Sequence, residues 1–194
     1  MSSSSSLNIV AIIPARGGSK RLAHKNIHSV CGKPMIQYSI EACKKSAYNI
    51  MPWVSSDDGA TLEIALGCCA GTILRPARLA GDDVFKMAAV RHAAMVIEGT
   101  QLVLPDMCIS LQANNPQITA EHIDAGITKL INCKLSEVFS VDSLLNQNGI
   151  FRIMKWPHVF QEDLSTNCGV VICDIIDVHT IDDVKDIERI WGER

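Results

Sequence analysis

The chain has 194 residues, with 18 lysines and arginines against 21 aspartates and glutamates, a net charge of −3 and 47% hydrophobic residues. This balance excludes the basic footprint of a nucleic-acid-binding module, and no apolar run reaches the roughly 20 residues of a membrane span. The length suits a single α/β domain with a sizeable core.

The polar tract Met1 to Ser6 has no signal-peptide core and reads as a disordered tail ahead of the domain at 7–194. An apolar run, Asn8 to Ile13, then reads as the first strand. Pro34 suits the opening of a helix reaching about Ser46, with Ile36, Ile40 and Cys43 on one face. Met51 to Val54 forms the next strand, and Asp57 or Asp58 caps a helix through about Cys69 that ends at Gly71. Thr72 to Leu74 is a third strand. Asp82 or Asp83 begins a helix to about Glu98, with Val84, Met87, Val90, Ala94 and Ile97 in register. Met107 to Leu111 is a strand, Thr119 opens a helix to about Asn132, and Glu137 to Val141 is a strand again. Residues 142–168 are weakly periodic and read as a hairpin or small insertion around Asn146-Gln147-Asn148-Gly149. Val170 to Ile176 closes the strands, and Ile181 to Trp191 is the last helix. Alternating strands and helices of this kind predict an α/β fold: a doubly wound, mostly parallel sheet with helices on both faces.

The first strand runs into Pro14-Ala15-Arg16-Gly17-Gly18-Ser19-Lys20-Arg21, followed by Lys25-Asn26. Adjacent glycines let backbone N–H groups approach an anion, and Arg16, Lys20, Arg21 and Lys25 supply charge-assisted donors, so the loop suits a polyphosphate. Neither the Walker spacing nor the dinucleotide fingerprint is met, and a solvated basic turn is the alternative reading. Parallel sheets bind ligands at the carboxyl ends of their strands. Ser55 to Asp58, Arg75, Gln112 to Asn115 and Asp177 all follow predicted strands, as the basic loop does. The eight cysteines include no CxxC pair and no ligand cluster with the six histidines, which points to small buried hydrophobes in a reducing cytoplasm.

The block Ile12 to Arg21, with Lys25-Asn26-Ile27 and Gly32-Lys33-Pro34-Met35-Ile36, resembles the opening of the acylneuraminate cytidylyltransferases, the CMP-sialic acid synthetases and their relatives. Weaker matches follow at Val54 to Asp58, Leu74-Arg75-Pro76, Leu79-Ala80-Gly81-Asp82, Leu111-Gln112 with Pro116, and Ile176-Asp177 with Thr180 and Asp183. The resemblance implies transfer of a cytidylyl group from CTP to a nonulosonic, sialic-acid-like sugar acid by a cytoplasmic homodimer. It implies that Arg16 and Lys25 neutralise developing charge, and that Ala15, Gly17, Gly18, Ser19 and Lys20 contact the triphosphate. Asn26 and Arg75 would recognise the nucleotide, with Gln112 and Asn114 on the acceptor. Asp177, with His179, stands at the implied metal position, for Mg2+ or, given the histidine, Mn2+.

Three departures accompany the resemblance. The family's Gln-Pro-Thr-Ser-Pro reads Gln112-Ala113-Asn114-Asn115-Pro116, and its Asp-x-Asp reads Asp177-Val178-His179. The interval from His122 to Asp177 is also shorter than the family's, where an insertion builds a dimer arm. Phe151, Trp156 and Phe160 with Arg152, Lys155 and His158 are either what remains of that arm, an acceptor-carboxylate site, or local core. Asp177 and His179 are either metal ligands or a cap for the last helix. Two other functions stay open: a catalytically weakened nucleotide-binding homologue with a regulatory or assembly role, and a nucleotidyltransferase using another nucleotide and a sugar phosphate.

Overall fold

A computed structural model describes residues 7–192, so the serine tract lies outside the described residues. Seven strands form one sheet: β1 Ile9–Pro14, β4 Ile50–Ser56, β5 Gly71–Leu74, β6 Met107–Leu111, β7 Glu137–Val141, β8 Gln147–Lys155 and β9 Cys168–Ile172. Their order across the sheet is β5-β4-β1-β6-β8-β7-β9, and two short strands, β2 Ser29–Val30 and β3 Lys33–Pro34, pair separately. The pairs β1 with β4, β1 with β6, β4 with β5 and β7 with β9 are parallel, whereas β8 runs antiparallel to both neighbours.

Alternation along β1 shows how the two faces are filled. Ile9, Ala11 and Ile13 pack with helices α1 Met35–Lys45, α2 Gly59–Gly67 and α4 Ala120–Asn132; Val10 and Ile12 pack under α3 Lys86–Thr100. A strand buried on both faces must be apolar throughout, and this one is. The fifth helix, α5 Ile181–Gly192, sets Val184 and Ile187 against Val30 and Met35 beside the first loop. No helix among the described residues is long and apolar enough to cross a membrane.

Of the two readings of residues 142–168, the hairpin is the one formed: β8, drawn from that stretch, pairs antiparallel with β7 and lies inside the sheet between β6 and β7. The structure corrects two expectations. Neither Asp82 nor Asp83 opens the third helix, which starts at Lys86 after Phe85; Asp82 is engaged instead by the basic loop. The last strand stops at Ile172, so 173–178 is an extended strap that Asn148, Gln117 and Asn115 side chains tether at Cys173 and Ile176. Side-chain tethers replace the ladder because β9 is an edge strand and the chain must leave the sheet to return to the β1 end.

Candidate active site

The ladder with β4 continues into the basic loop, where the Ala15 amide donates to Ser55 at 2.9 Å. Ala15 is fully buried and its amide is spent on Ser55, so it packs the base of the loop. The Gly17 amide donates to Asp57 Oδ1 at 3.0 Å, and a Cβ on Gly17 would fall 2.7 Å from that of Asp58. Close approach is what requires glycine there, since neither Gly17 nor Gly18 has positive φ, and Gly18 faces open space. Between the two candidate caps, Asp58 is the one used: its carboxylate accepts from the Thr61 amide at 3.0 Å and hydroxyl at 2.6 Å. Asn26, nearly buried, donates to the Arg16 carbonyl at 2.9 Å and holds the loop in its fold.

Arg16, Lys25, Asn26 and Arg75 line one cavity of about 320 Å³ together with Gln112 and Asn114. Arg16 and Lys25 also line an adjoining cavity of about 300 Å³ with Ser19, Lys20, Arg21 and His179. Arg75 is 6% exposed, its Nε donating to Ser55 Oγ at 3.3 Å and its Nη2 to the Ser55 carbonyl. Burial lowers its pKa, with Asp57 opposing, yet a guanidinium stays protonated throughout the ordinary range. Arg75 is therefore a fixed charge built into the floor of the site. Lys25 also has its pKa lowered, first by burial and then by Arg21 and Arg16, against the attraction of Asp177. A bound anion beside Lys25 would offset both its burial and the neighbouring arginines.

Asp82 partly neutralises this group. Its carboxylate pairs with Arg16 at 2.6 Å and with Lys20, and it lines both cavities.

The strap arrives opposite. Asn114 Nδ2 donates to the Val178 carbonyl at 2.9 Å and to Asp177 Oδ1, and the Asn114 carbonyl accepts from the Val178 amide at 3.1 Å. The asparagine that replaces the family's hydroxyl residue thus clamps the strap and orients Asp177. His179 Nε2 lies 3.0 Å from Asp177 Oδ2. The last helix is capped by other residues: Asp183 Oδ2 accepts from the amides of His179 and Thr180 at 2.8 and 2.7 Å, and Thr180 Oγ1 accepts from the Asp183 amide at 3.3 Å. Asp177 is free of capping duty.

Among the described residues no three His, Cys, Asp or Glu side chains converge as a metal cage. Asp177 keeps 31% of its side chain exposed beside Lys25 and the basic loop, which fits a cation carried in with phosphates and held by one carboxylate. His179 Nε2 stands within hydrogen-bond distance of that carboxylate.

Gln112 is anchored by its backbone, its amide donating to the Ile150 carbonyl at 2.9 Å and its carbonyl accepting from Ser39 Oγ at 2.8 Å. Its side-chain Oε1 is buried with no partner. Arg152 is not a free carboxylate receptor: Nε donates to Glu137 Oε2 at 2.7 Å, with Nη2 on the same oxygen. Phe151 and Trp156 are core residues, and Phe160 packs edge-on against Trp156 at 5.9 Å.

Sequence reasoning gave no site role to Asp82 or Lys86, both of which line the larger of these cavities. The signal for Lys86 was present: it stands on the stripe 86, 90, 93, 97, whose other members Val90, Ala93 and Ile97 are buried. A charge on an apolar helical face asks for a partner.

The family model described as Cytidylyltransferase matches residues 10–158. The chain is 33% identical over 132 residues to a pseudaminic acid cytidylyltransferase of Campylobacter jejuni, a match covering 68% of this chain and 56% of that protein. It is 38% identical over 88 residues to an N-acylneuraminate cytidylyltransferase of Escherichia coli, covering 45% of this chain and 21% of that one. A solved CMP:2-keto-3-deoxy-manno-octonic acid synthetase complexed with CTP superposes at a TM-score of 0.73 and 16% identity, over 96% of this chain and 99% of that chain, and shares its fold. The chain spans little more than half of the Campylobacter relative. With the family match running unbroken from the first strand through β8 and carrying the whole basic loop, this chain belongs to the cytidylyltransferase family.

Proposed function

We propose that the chain transfers a cytidylyl group from CTP to an acidic sugar of the nonulosonic type, with release of pyrophosphate. The observation that carries this reading is the convergence of Arg16, Lys25 and Arg75 on one cavity, faced by Gln112 and Asn114. The relatives named for pseudaminic acid and N-acylneuraminate support the acid-sugar acceptor.

In the reaction an acceptor hydroxyl oxygen bonds to the α-phosphorus of CTP while the bond from that phosphorus to the bridging oxygen breaks. Pyrophosphate leaves with the electron pair, and the hydroxyl proton passes to solvent. Such chemistry depends on in-line positioning and neutralisation of charge on the phosphoryl oxygens. Arg16, Lys20 and Lys25 perform the neutralisation, with Asp82 yielding its partners to the triphosphate. Arg75, fixed by Ser55, holds the nucleotide end. Gln112 offers the acceptor an amide whose oxygen has no protein partner. A divalent cation held by Asp177 would supply further Lewis-acid neutralisation of the phosphates.

The test is release of pyrophosphate from CTP, UTP, GTP and ATP with Mg2+ or Mn2+ and a panel of acid sugars and sugar phosphates. The reading expects turnover with CTP and an acid sugar; turnover only with another nucleotide and a sugar phosphate contradicts it. A second reading, a nucleotide-binding homologue of weakened chemistry, draws on the engagement of Asp177 by both Asn114 and His179. CTP binding without turnover on any acceptor would select it.

A further inference from the structure

A second cavity, of about 410 Å³, shares Lys86 with the cavity assigned to the nucleotide. That volume falls within the range of small-molecule sites. Lys86 Nζ donates to the Gly149 carbonyl at 2.8 Å, which uses one of its three hydrogens. Gly149 has φ of 69°, and a Cβ there would stand 3.4 Å from Gln112 Nε2 and 3.7 Å from Lys86 Nζ. Gly149 therefore lies within ordinary contact of both the Gln112 amide and the Lys86 ammonium, and Gln112 Oε1 has no partner.

The other positive charge of this cavity, Arg152, is consumed by Glu137, so Lys86 is its available cation. Ser110, fully buried in the cavity wall, has a hydroxyl with no partner. The wall between is apolar, built from Phe139 and Phe151, and Phe85 and Leu164 stand at its edge 69% and 57% exposed. Glu162 and Asp163 also line it and require hydrogen-bond donors, not another acid, in front of them. The cavity therefore has a cationic end near Gln112, orphaned polar groups, an apolar middle and an acidic rim.

We propose that this cavity receives the acceptor, that Lys86 fixes the acceptor's carboxylate and thereby sets specificity, and that the aromatic wall selects acylamino sugar acids over an all-hydroxyl octonic acid. This rests on the reading of the chain as an acid-sugar cytidylyltransferase. The rim carboxylates accept from an N–H or a hydroxyl alike; the wall discriminates, because it covers the methyl of an acylamino group, whereas a hydroxyl in the same place is desolvated against phenylalanine. Burial also depresses the pKa of Lys86, with Asp177 opposing, so a carboxylate beside the ammonium restores what burial removes.

The test compares wild type, Lys86→Met and Lys86→Arg with three acids: N-acetylneuraminic acid, pseudaminic acid and 2-keto-3-deoxy-manno-octonic acid. Pyrophosphate release gives KM and kcat, and calorimetry gives Kd for CTP alone and for each acid in the presence of α,β-methylene CTP. Lys86→Met is expected to raise KM and Kd for the acylamino acids about tenfold or more, the loss of one charge-assisted hydrogen bond, with CTP affinity within about twofold of wild type. Lys86→Arg, which keeps the charge, should fall between. Wild type should bind an acylamino acid at least about tenfold more tightly than the octonic acid.

Equal loss of CTP affinity in Lys86→Met would overturn the inference, as would unchanged acid binding or preference for the octonic acid. The calorimetric arm separates the two levels. Acid binding sensitive to Lys86 without any turnover removes the proposed reaction and keeps this site; turnover indifferent to Lys86 does the reverse. A wild type that binds none of the three acids removes this site.

Discussion

The two walls of the candidate site are built by different means. On the nucleotide side, residues 9–75, each functional group follows directly from a parallel strand: the basic loop leaves β1, Asp57 and Asp58 leave β4, and Arg75 leaves β5. Backbone ladders set where these groups leave the sheet, with the Ala15 amide on Ser55 and the Arg75 amide on Ser56, and the Asn26 and Asp57 side chains add local tethers within the loop. On the acceptor side, residues 110–178, position depends on side-chain tethers and a buried charge pair: Asn114 to Asp177, Asn115 to Ile176, Gln117 to Ile176 and Glu137 to Arg152. A ladder tolerates sequence change because its bonds belong to the backbone. A tether is lost with one side chain.

That contrast can be broken by mutation. The largest effect is expected on the acceptor side at Glu137, which is fully buried beside an Arg152 side chain 12% exposed. Glu137→Ala leaves an uncompensated buried guanidinium and should cost about 3–5 kcal/mol of folding stability in urea unfolding. A loss below about 1 kcal/mol, as for an exposed pair, would show that the acceptor wall does not depend on this charge.

On the nucleotide side the sensitive point is steric. Gly17→Ala drives a Cβ to 2.7 Å from that of Asp58, and overpacking of this kind costs about 1–3 kcal/mol. Gly18→Ala, facing open space, should change unfolding free energy by about 0.5 kcal/mol or less. Equal effects at the two glycines would remove the claim that close packing of the loop, not its flexibility, fixes the first of them.

Asn114→Ala sharpens the comparison by separating stability from chemistry. Loss of its bonds to Val178 and Asp177 should cost about 1 kcal/mol or slightly more. Pyrophosphate release should fall more steeply than CTP affinity, because Asp177 loses its orientation while the basic loop stays intact.

The smallest effect is in acid. Asp58 has its pKa lowered from 3.8 chiefly by the Thr61 hydroxyl. A depressed carboxylate contributes stability that is present above its unfolded value and lost as pH falls through its folded value, so the loss belongs below about pH 4. Asp58→Asn keeps a capping side chain without the titration, and should flatten the decline of thermal stability in that range.

The same difference in construction decides what could be read from the sequence. Apolar runs of strand length and helical periodicity located the parallel strands and most helices, because each reports burial of its own residues. The basic loop was legible because its charges lie within a few positions of one another. Asp82 was misplaced as a helix start because local capping preference and a long-range pair with Arg16 compete, and the pair prevails. β8 was hidden by the polar Gln147-Asn148-Gly149 at its start and by Arg152, whose partner Glu137 is remote in sequence. The last strand was drawn too long because Cys173, Ile175 and Ile176 continue its apolar character, while the segment is held by side-chain tethers that no local pattern announces. Lys86 could have been found from its place on a buried helical stripe; Ser110 could not, since a serine in an apolar strand carries no such mark.

The central claim is that the loop from Arg16 to Lys25 grips the triphosphate of CTP. Calorimetric titration of CTP into wild type and Arg16→Ala tests it most directly. Saturable binding is expected in wild type, weakened in the variant by about tenfold to a hundredfold, as for loss of one charge-assisted contact. No heat from folded wild type at millimolar CTP, or equal affinity in the two proteins, would contradict the account.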